Sequence, residues 1–204
     1  TTYFVRYSGT CNTTSCASIT VTVVPYSVIT VSPSAPTICA GSTVTMTASG
    51  GGSTYLWSSV FSTFTGNPYT VGGSTNTYNV SSTDIQCSGT TSVTVTVVPA
   101  TTIAAAGSDQ SQCFSVGNTN LAGNSPSQGA GTWTKVSGPA GGVIAAPSSP
   151  TSGVTGLTNV GTYVYQWTIT NAPCLPSSDQ VSIVVTGAPS TPGIVSGTSP
   201  VCSG

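Results

Sequence analysis

Three stretches of the chain alternate apolar and small polar residues. Residues 19–25 read ITVTVVP, residues 93–99 read VTVTVVP, and residues 181–189 read VSIVVTGAP, a looser copy. Successive side chains of a strand point to opposite faces, so this period of two predicts half-buried strands. Their many β-branched residues suit that conformation. A proline follows each run, at once or a few residues later, and it has no amide hydrogen to extend a ladder. Each run therefore reads as the last strand of a folded unit, with a linker behind it.

A tyrosine recurs upstream of each run. Thr2-Tyr3-Phe4-Val5, Thr77-Tyr78-Asn79-Val80 and Thr162-Tyr163-Val164-Tyr165 all place it at the start of a strand. Openings recur as well: PSAPTICAG at 33–41 and GTSPVCSG at 197–204 set a proline before a Cys and a Gly. Between them, Ser42 to Thr47 alternate again, Gly50-Gly51-Gly52 turns the chain, and Tyr55-Leu56-Trp57 predicts a strand with Trp57 in the core. Trp133 holds the comparable place within Gly131-Thr132-Trp133-Thr134. No segment keeps a helical period. Short strands punctuated by Gly, Pro, Asn and Ser predict an all-β sandwich. A tyrosine that folds its hydroxyl back onto the chain at this place marks immunoglobulin-like sandwiches.

The expected fold is thus all-β, with tandem immunoglobulin-like sandwiches arranged as beads on a string. Residues 1–26 are expected to be the C-terminal strands of a truncated immunoglobulin-like domain. Residues 27–98 and 99–186 are expected to form two complete domains, and residues 187–204 to open a further one.

Composition narrows the chemistry. Of 204 residues, two are Lys or Arg, three are Asp or Glu, and none is His. Thr (37) and Ser (33) supply the polarity instead. General acid–base catalysis needs a His or carboxylates held together, and Asp84, Asp109 and Asp179 lie far apart in sequence. Zinc and calcium sites need clustered ligands, and nucleic-acid binding needs a basic footprint. The chain is therefore expected to be non-catalytic, without cofactor, metal or nucleic-acid partner. No apolar run is long enough to span a membrane, and no leader peptide is recognisable at the start. Export is expected to have used a signal outside these residues. With a net charge of −1, the surface lacks the mutual repulsion that disperses soluble proteins. A tethered, polymeric or glycan-coated life fits this better.

Seven cysteines in such a chain point to an oxidising, extracellular setting. Cys87 and Cys174 each lie eleven residues before the end of a closing strand, at Val98 and Val185. That spacing pairs Cys39 with Cys87 and Cys113 with Cys174. Cys11 and Cys16 are expected to bridge their own hairpin, the preferred reading; the alternative is that one of them pairs with the missing half of the first domain. Cys202 matches Cys39 and is expected to be unpaired within these residues.

The run PTICAGSTVTMTASGG, then YLWSS, then NTYNVSSTDIQCSGTTSVTVTVVP resembles immunoglobulin-like and PKD-like repeats of giant Bacteroidetes cell-surface proteins. The run NTNLAGNSPSQGAGTWTKVSGPAG with TGLTNVGTYVYQWTITNAPCLPSSDQVSIVV resembles a second repeat type of those proteins, and residues 1–25 the tail of a third. The resemblance implies secretion, commonly by the type IX system, and display at the cell surface, as in gliding-motility adhesins. It supplies no catalytic or binding residues.

The function expected is a structural or adhesive segment of an extracellular surface filament or giant repeat adhesin. A carbohydrate-binding accessory array of a secreted enzyme is the alternative, as is a pilus-like subunit polymerising by strand complementation. Expected partners are neighbouring immunoglobulin-like domains, of the same or adjacent chains, and surface glycans. Asn12 and Asn79 begin N-x-S/T triplets and are candidate glycosylation sites. Tyr26, Phe61, Phe64, Tyr69 and Phe114 are expected in loops or at strand edges, where a cluster would stack on sugar rings. The three aspartates are expected to cap turns through their own backbone.

Overall fold

A computed structural model describes residues 1–23, 26–83, 87, 89–188 and 193. Thr1–Val98 and Pro99–Gly204 are two compact units. Every regular element among the described residues is a strand.

The first unit opens with a hairpin, β1 (Thr2–Val5) and β2 (Ala17–Thr20). A sandwich follows, made of β3 (Thr30–Ser32), β4 (Thr37–Cys39), β5 (Thr43–Ser49), β6 (Tyr55–Ser58), β7 (Thr63–Thr65), β8 (Tyr69–Gly72), β9 (Asn76–Ser82) and β10 (Thr90–Val98). Its sheets run in the orders β4-β10-β9-β6-β7 and β3-β5-β8. The alternation in β10 works as expected: Val93 and Val95 are buried while Thr94 and Thr96 face solvent. Met46, Ala48 and Val71 of the small sheet meet Trp57, Val80, Val93 and Val95 of the large one in a single core.

The second unit contains β11 (Gln110–Cys113), β12 (Gly117–Asn120), β13 (Ala130–Ser137), β14 (Val143–Ile144), β15 (Gly153–Leu157), β16 (Gly161–Asn171) and β17 (Cys174–Thr186). The sheet orders are β11-β17-β16-β13 and β12-β15-β14. The long strand β16 places Tyr163, Tyr165, Trp167 and Ile169 at successive inward positions, all fully buried. Trp133 on β13 sits opposite Trp167, with ring centroids 5.0 Å apart. Trp57 on β6 is likewise opposite the strand that carries the recurrent tyrosine, facing Val80. Each indole N–H, buried with its ring, donates to a backbone carbonyl: Trp57 to Gly66, Trp133 to Pro150 and Trp167 to Asn124. These bonds avoid the cost of an orphaned donor in the core.

The cysteine pairing differs from the expectation. Cys39 and Cys174 are each disulfide-bonded, whereas Cys11, Cys16, Cys87 and Cys113 are free. Neither Cys39–Cys87 nor Cys113–Cys174 forms, and the cause is strand direction. In both units the short strand ending in a cysteine runs parallel to the last strand. Cys113 is therefore level with Thr186, at the far end of β17 from Cys174. At about 3.3 Å per residue the two are separated by roughly 40 Å, against a Cα span of about 4.4–6.8 Å for a disulfide. Cys39 is level with Val98, whereas Cys87 precedes the start of β10. The length of that strand, about 26 Å, lies between them. The local bridge expected for Cys11 and Cys16 is absent for a similar reason. Ser8 pairs with Thr13, which puts Cys11 in the closing turn and Cys16 several rungs down the ladder. Cys202, Asp84 and most of 187–204 lie outside the described residues.

Candidate functional site

One hairpin is built three times in the same register. Tyr78 of β9 faces Val93 of β10, and Tyr163 of β16 faces Ile183 of β17. In the N-terminal hairpin Tyr3 faces Ile19. The neighbouring rung repeats too: Thr77 and Thr94 hydroxyls lie 2.9 Å apart, and those of Thr2 and Thr20 lie 3.1 Å apart. What covers the hairpins differs. Tyr78 and Val93 are 6% and 2% exposed and Tyr163 and Ile183 are both 0%, whereas Tyr3 and Ile19 are 59% and 67% exposed. Val5, also on the Tyr3 face, and Phe4, on the opposite face, are equally open.

The recurrent tyrosine uses its hydroxyl differently in the two sandwiches. Tyr163 Oη donates to the carbonyl of Asn159, four residues back, and approaches that of Ala140. This is the fold-back expected of such a tyrosine. Tyr165 Oη donates to Gly142, and burial, with Tyr163 beside it, pushes its pKa up to about 12. Tyr78 Oη has no hydrogen-bond partner among the described residues. The segment before it follows another course, with Thr75 held against β10 by the Val97 N–H, which donates to its hydroxyl at 2.9 Å.

That difference opens a groove in the first unit. A cavity of about 360 Å³ lies between β8 and β9, lined by Phe61, Ser62, Tyr69, Gly73, Asn76 and Tyr78 among others. Phe61 stands on its rim, 77% exposed, in the turn closed by Ser59 and Ser62. Tyr69 is fixed by its neighbours. Phe64 stacks on it at 4.5 Å, Tyr78 meets it edge-on at 5.7 Å, and Trp57 packs at 5.6 Å. Such pairs add about 0.5–1.5 kcal/mol each beyond their buried area. Asn76 is oriented by the Thr77 N–H, which donates to its Oδ1, so its amide nitrogen remains free to donate. A second hollow of about 510 Å³ on the same unit shares Asn76 and is lined by Ser58, Thr75, Thr77 and Asn79. Both hollows carry only neutral side chains. The arrangement offers an aromatic face, hydroxyls and an amide, with no carboxylate, imidazole or amine side chain in its lining.

The structure sorts the remaining candidates. Phe61, Phe64 and Tyr69 gather in the groove region, while Tyr26 and Phe114 are exposed elsewhere. Asn12 lies in the exposed loop of the N-terminal hairpin, and Asn79 is exposed in mid-strand at the second hollow. The two described aspartates are not turn caps. Asp109 accepts the Ser182 N–H, and Asp179 accepts the Ala106 N–H, so each ties the lead-in of the second unit to its last strand. Lys135, without a role in the sequence reading, lies 4.9 Å from the Tyr163 ring centroid and donates to Pro139 and Gly141. No group of three or more potential metal ligands gathers among the described residues. No helix among them is long and apolar enough to cross a membrane.

Comparison with solved structures defines the class. The titin domains A168–A170 align over 92% of this chain and 75% of theirs, at 14% identity and a TM-score of 0.51. The PKD domain of the KIAA 1837 protein is 34% identical over 44% of this chain and 92% of its own, with a TM-score of 0.38. Murine CEACAM1b is 14% identical over 79% of this chain and 100% of its own, with a TM-score of 0.48. No protein-family model and no curated protein matches the sequence. The chain is an all-β protein of immunoglobulin-like sandwiches.

Proposed function

We propose that the chain is a structural and adhesive segment of an extracellular surface filament, or of a giant repeat adhesin of the gliding-motility type. The single observation that carries this reading is the hairpin repeated in one register. Tyr3–Ile19, Tyr78–Val93 and Tyr163–Ile183 are the same cross-strand pair in the same kind of element. Serial repetition of one structural unit suits a load-bearing rod. In this reading residues 1–26 are the closing strands of another sandwich, because their apolar face is of the kind that the two sandwiches bury. Residues 27–98 and 99–186 are the complete beads, and 187–204 lead into the next. Oxidised Cys39 and Cys174 agree with an extracellular setting.

The test is localisation together with shape. Antibody against the chain should label intact cells of the organism that makes it, and images of the native material should show a regular axial repeat. Labelling only after permeabilisation would contradict the reading. The groove of the first unit favours a second reading, an accessory array that holds a secreted enzyme on polysaccharide. Co-purification of the chain with a covalently linked catalytic domain would select it.

A further inference from the structure

We infer that the groove between β8 and β9 is a binding site for a neutral saccharide, with Phe61 as its stacking platform and Tyr78 Oη and Asn76 Nδ2 as its polar contacts. The inference deepens the adhesive reading above and rests on it for where the sugar is met, not for how it is held.

Three independent observations converge on the groove. The first is chemical. Sugar rings present C–H faces that pack on aromatic rings, and hydroxyls that both donate and accept hydrogen bonds. The groove pairs an exposed aromatic with hydroxyl and amide groups and has no charged residue in its lining. An acidic glycan would find no cation there, since Arg6 and Lys135, the chain's two basic side chains, do not line it.

The second is the hydroxyl of Tyr78. The residue is 6% exposed and lines the groove, yet its Oη has no protein partner. Its Oη reaches solvent at the groove, where a phenol both donates and accepts hydrogen bonds. The equivalent Tyr163 satisfies its hydroxyl on its own chain. Tyr78 keeps its hydroxyl for the groove.

The third is size and rigidity. At about 360 Å³ the cavity lies within the range of small-ligand sites, about 300–1,000 Å³. The stacking of Phe64 on Tyr69, and the Thr77–Asn76 bond, hold its walls without a ligand. Little ordering is then required on binding.

The experiment is a titration of the isotope-labelled 204-residue chain with cellotetraose, maltotetraose and mannotetraose, followed by amide and side-chain NMR shifts. Saturable shifts at Ser62, Gly73, Asn76 and Tyr78 are expected with at least one of the three. Phe61→Ala removes an exposed ring and leaves the core intact, and it should weaken binding roughly tenfold or more. Tyr78→Phe deletes only the hydroxyl and should weaken it roughly three- to tenfold. Shifts confined to other surfaces would overturn the assignment, as would binding untouched by both substitutions or no saturable shift with any of the three. Tetragalacturonate binding in place of the neutral sugars would overturn the neutral class. Failure here leaves surface labelling unaffected, and failure of surface labelling leaves these shifts unaffected.

Discussion

Tyr78 and Tyr163 occupy the same place in two sandwiches, and the chain leading to each decides what it does. In the second unit the preceding loop returns beneath the ring, so Asn159 and Ala140 take the hydroxyl while Lys135 lies over the ring face. In the first unit that segment is drawn to β10 through Thr75, and the hydroxyl opens onto a groove. One sandwich is finished inside and the other keeps polar capacity for a ligand. The lesson is that the recurrent tyrosine marks a position in the fold, not a fixed role. The N-terminal hairpin extends the comparison, because its Tyr3 sits in the same register but stays exposed, beside a hollow of about 140 Å³ that it lines with Phe4, Val5 and Ile19.

The comparison can be broken most strongly at the cores. Trp167→Ala should destabilise the second unit by about 3–5 kcal/mol, and Trp57→Ala the first by a similar amount. Calorimetry should show each substitution lowering one transition and sparing the other. A single shared transition in both variants would deny that the two cores are separate.

A smaller effect is expected at Gly131. A Cβ there would lie 2.1 Å from the Trp167 indole, so Gly131→Ala should cost the second unit about 1–3 kcal/mol through overpacking. Denaturant unfolding measures it, and an unchanged midpoint would show that the Trp133–Trp167 pair has room to yield.

Alkaline pH sharpens the contrast further. Tyr165 ionises near 12 in the folded protein against an ordinary value of 10.0. The unfolded chain therefore releases this proton first. Its contribution to stability is complete below pH 10 and is lost as pH rises towards 12. The second unit should weaken across that window, and Tyr165→Phe should flatten the decline. A decline of the same steepness in the variant would assign it to other groups.

Much of this fold was legible as period. The alternation in β5, β10 and β17 states both the strand and its buried face, and Trp57 and Trp133 were identifiable as core residues from local pattern. Direction was not legible. Spacing along the chain does not say that the strands ending in Cys39 and Cys113 run parallel to the closing strands, and the expected bridges failed on that point. The aspartates misled for a related reason, since their partners lie 73 residues away. Part of the groove was visible, because Phe61, Phe64 and Tyr69 stand out as aromatics near turns. Asn76 and the Tyr78 hydroxyl were not, because their availability depends on the course of one loop.

The most direct test of the account is the pair Tyr78→Phe and Tyr163→Phe, each measured by denaturant unfolding of its own unit. Tyr163→Phe removes a donor from a formed bond and should cost about 1 kcal/mol. Tyr78→Phe removes a hydroxyl with no partner and should change stability by less than about 0.5 kcal/mol. Equal losses in the two units would mean that Tyr78 is satisfied in the same way as Tyr163, and would contradict the account.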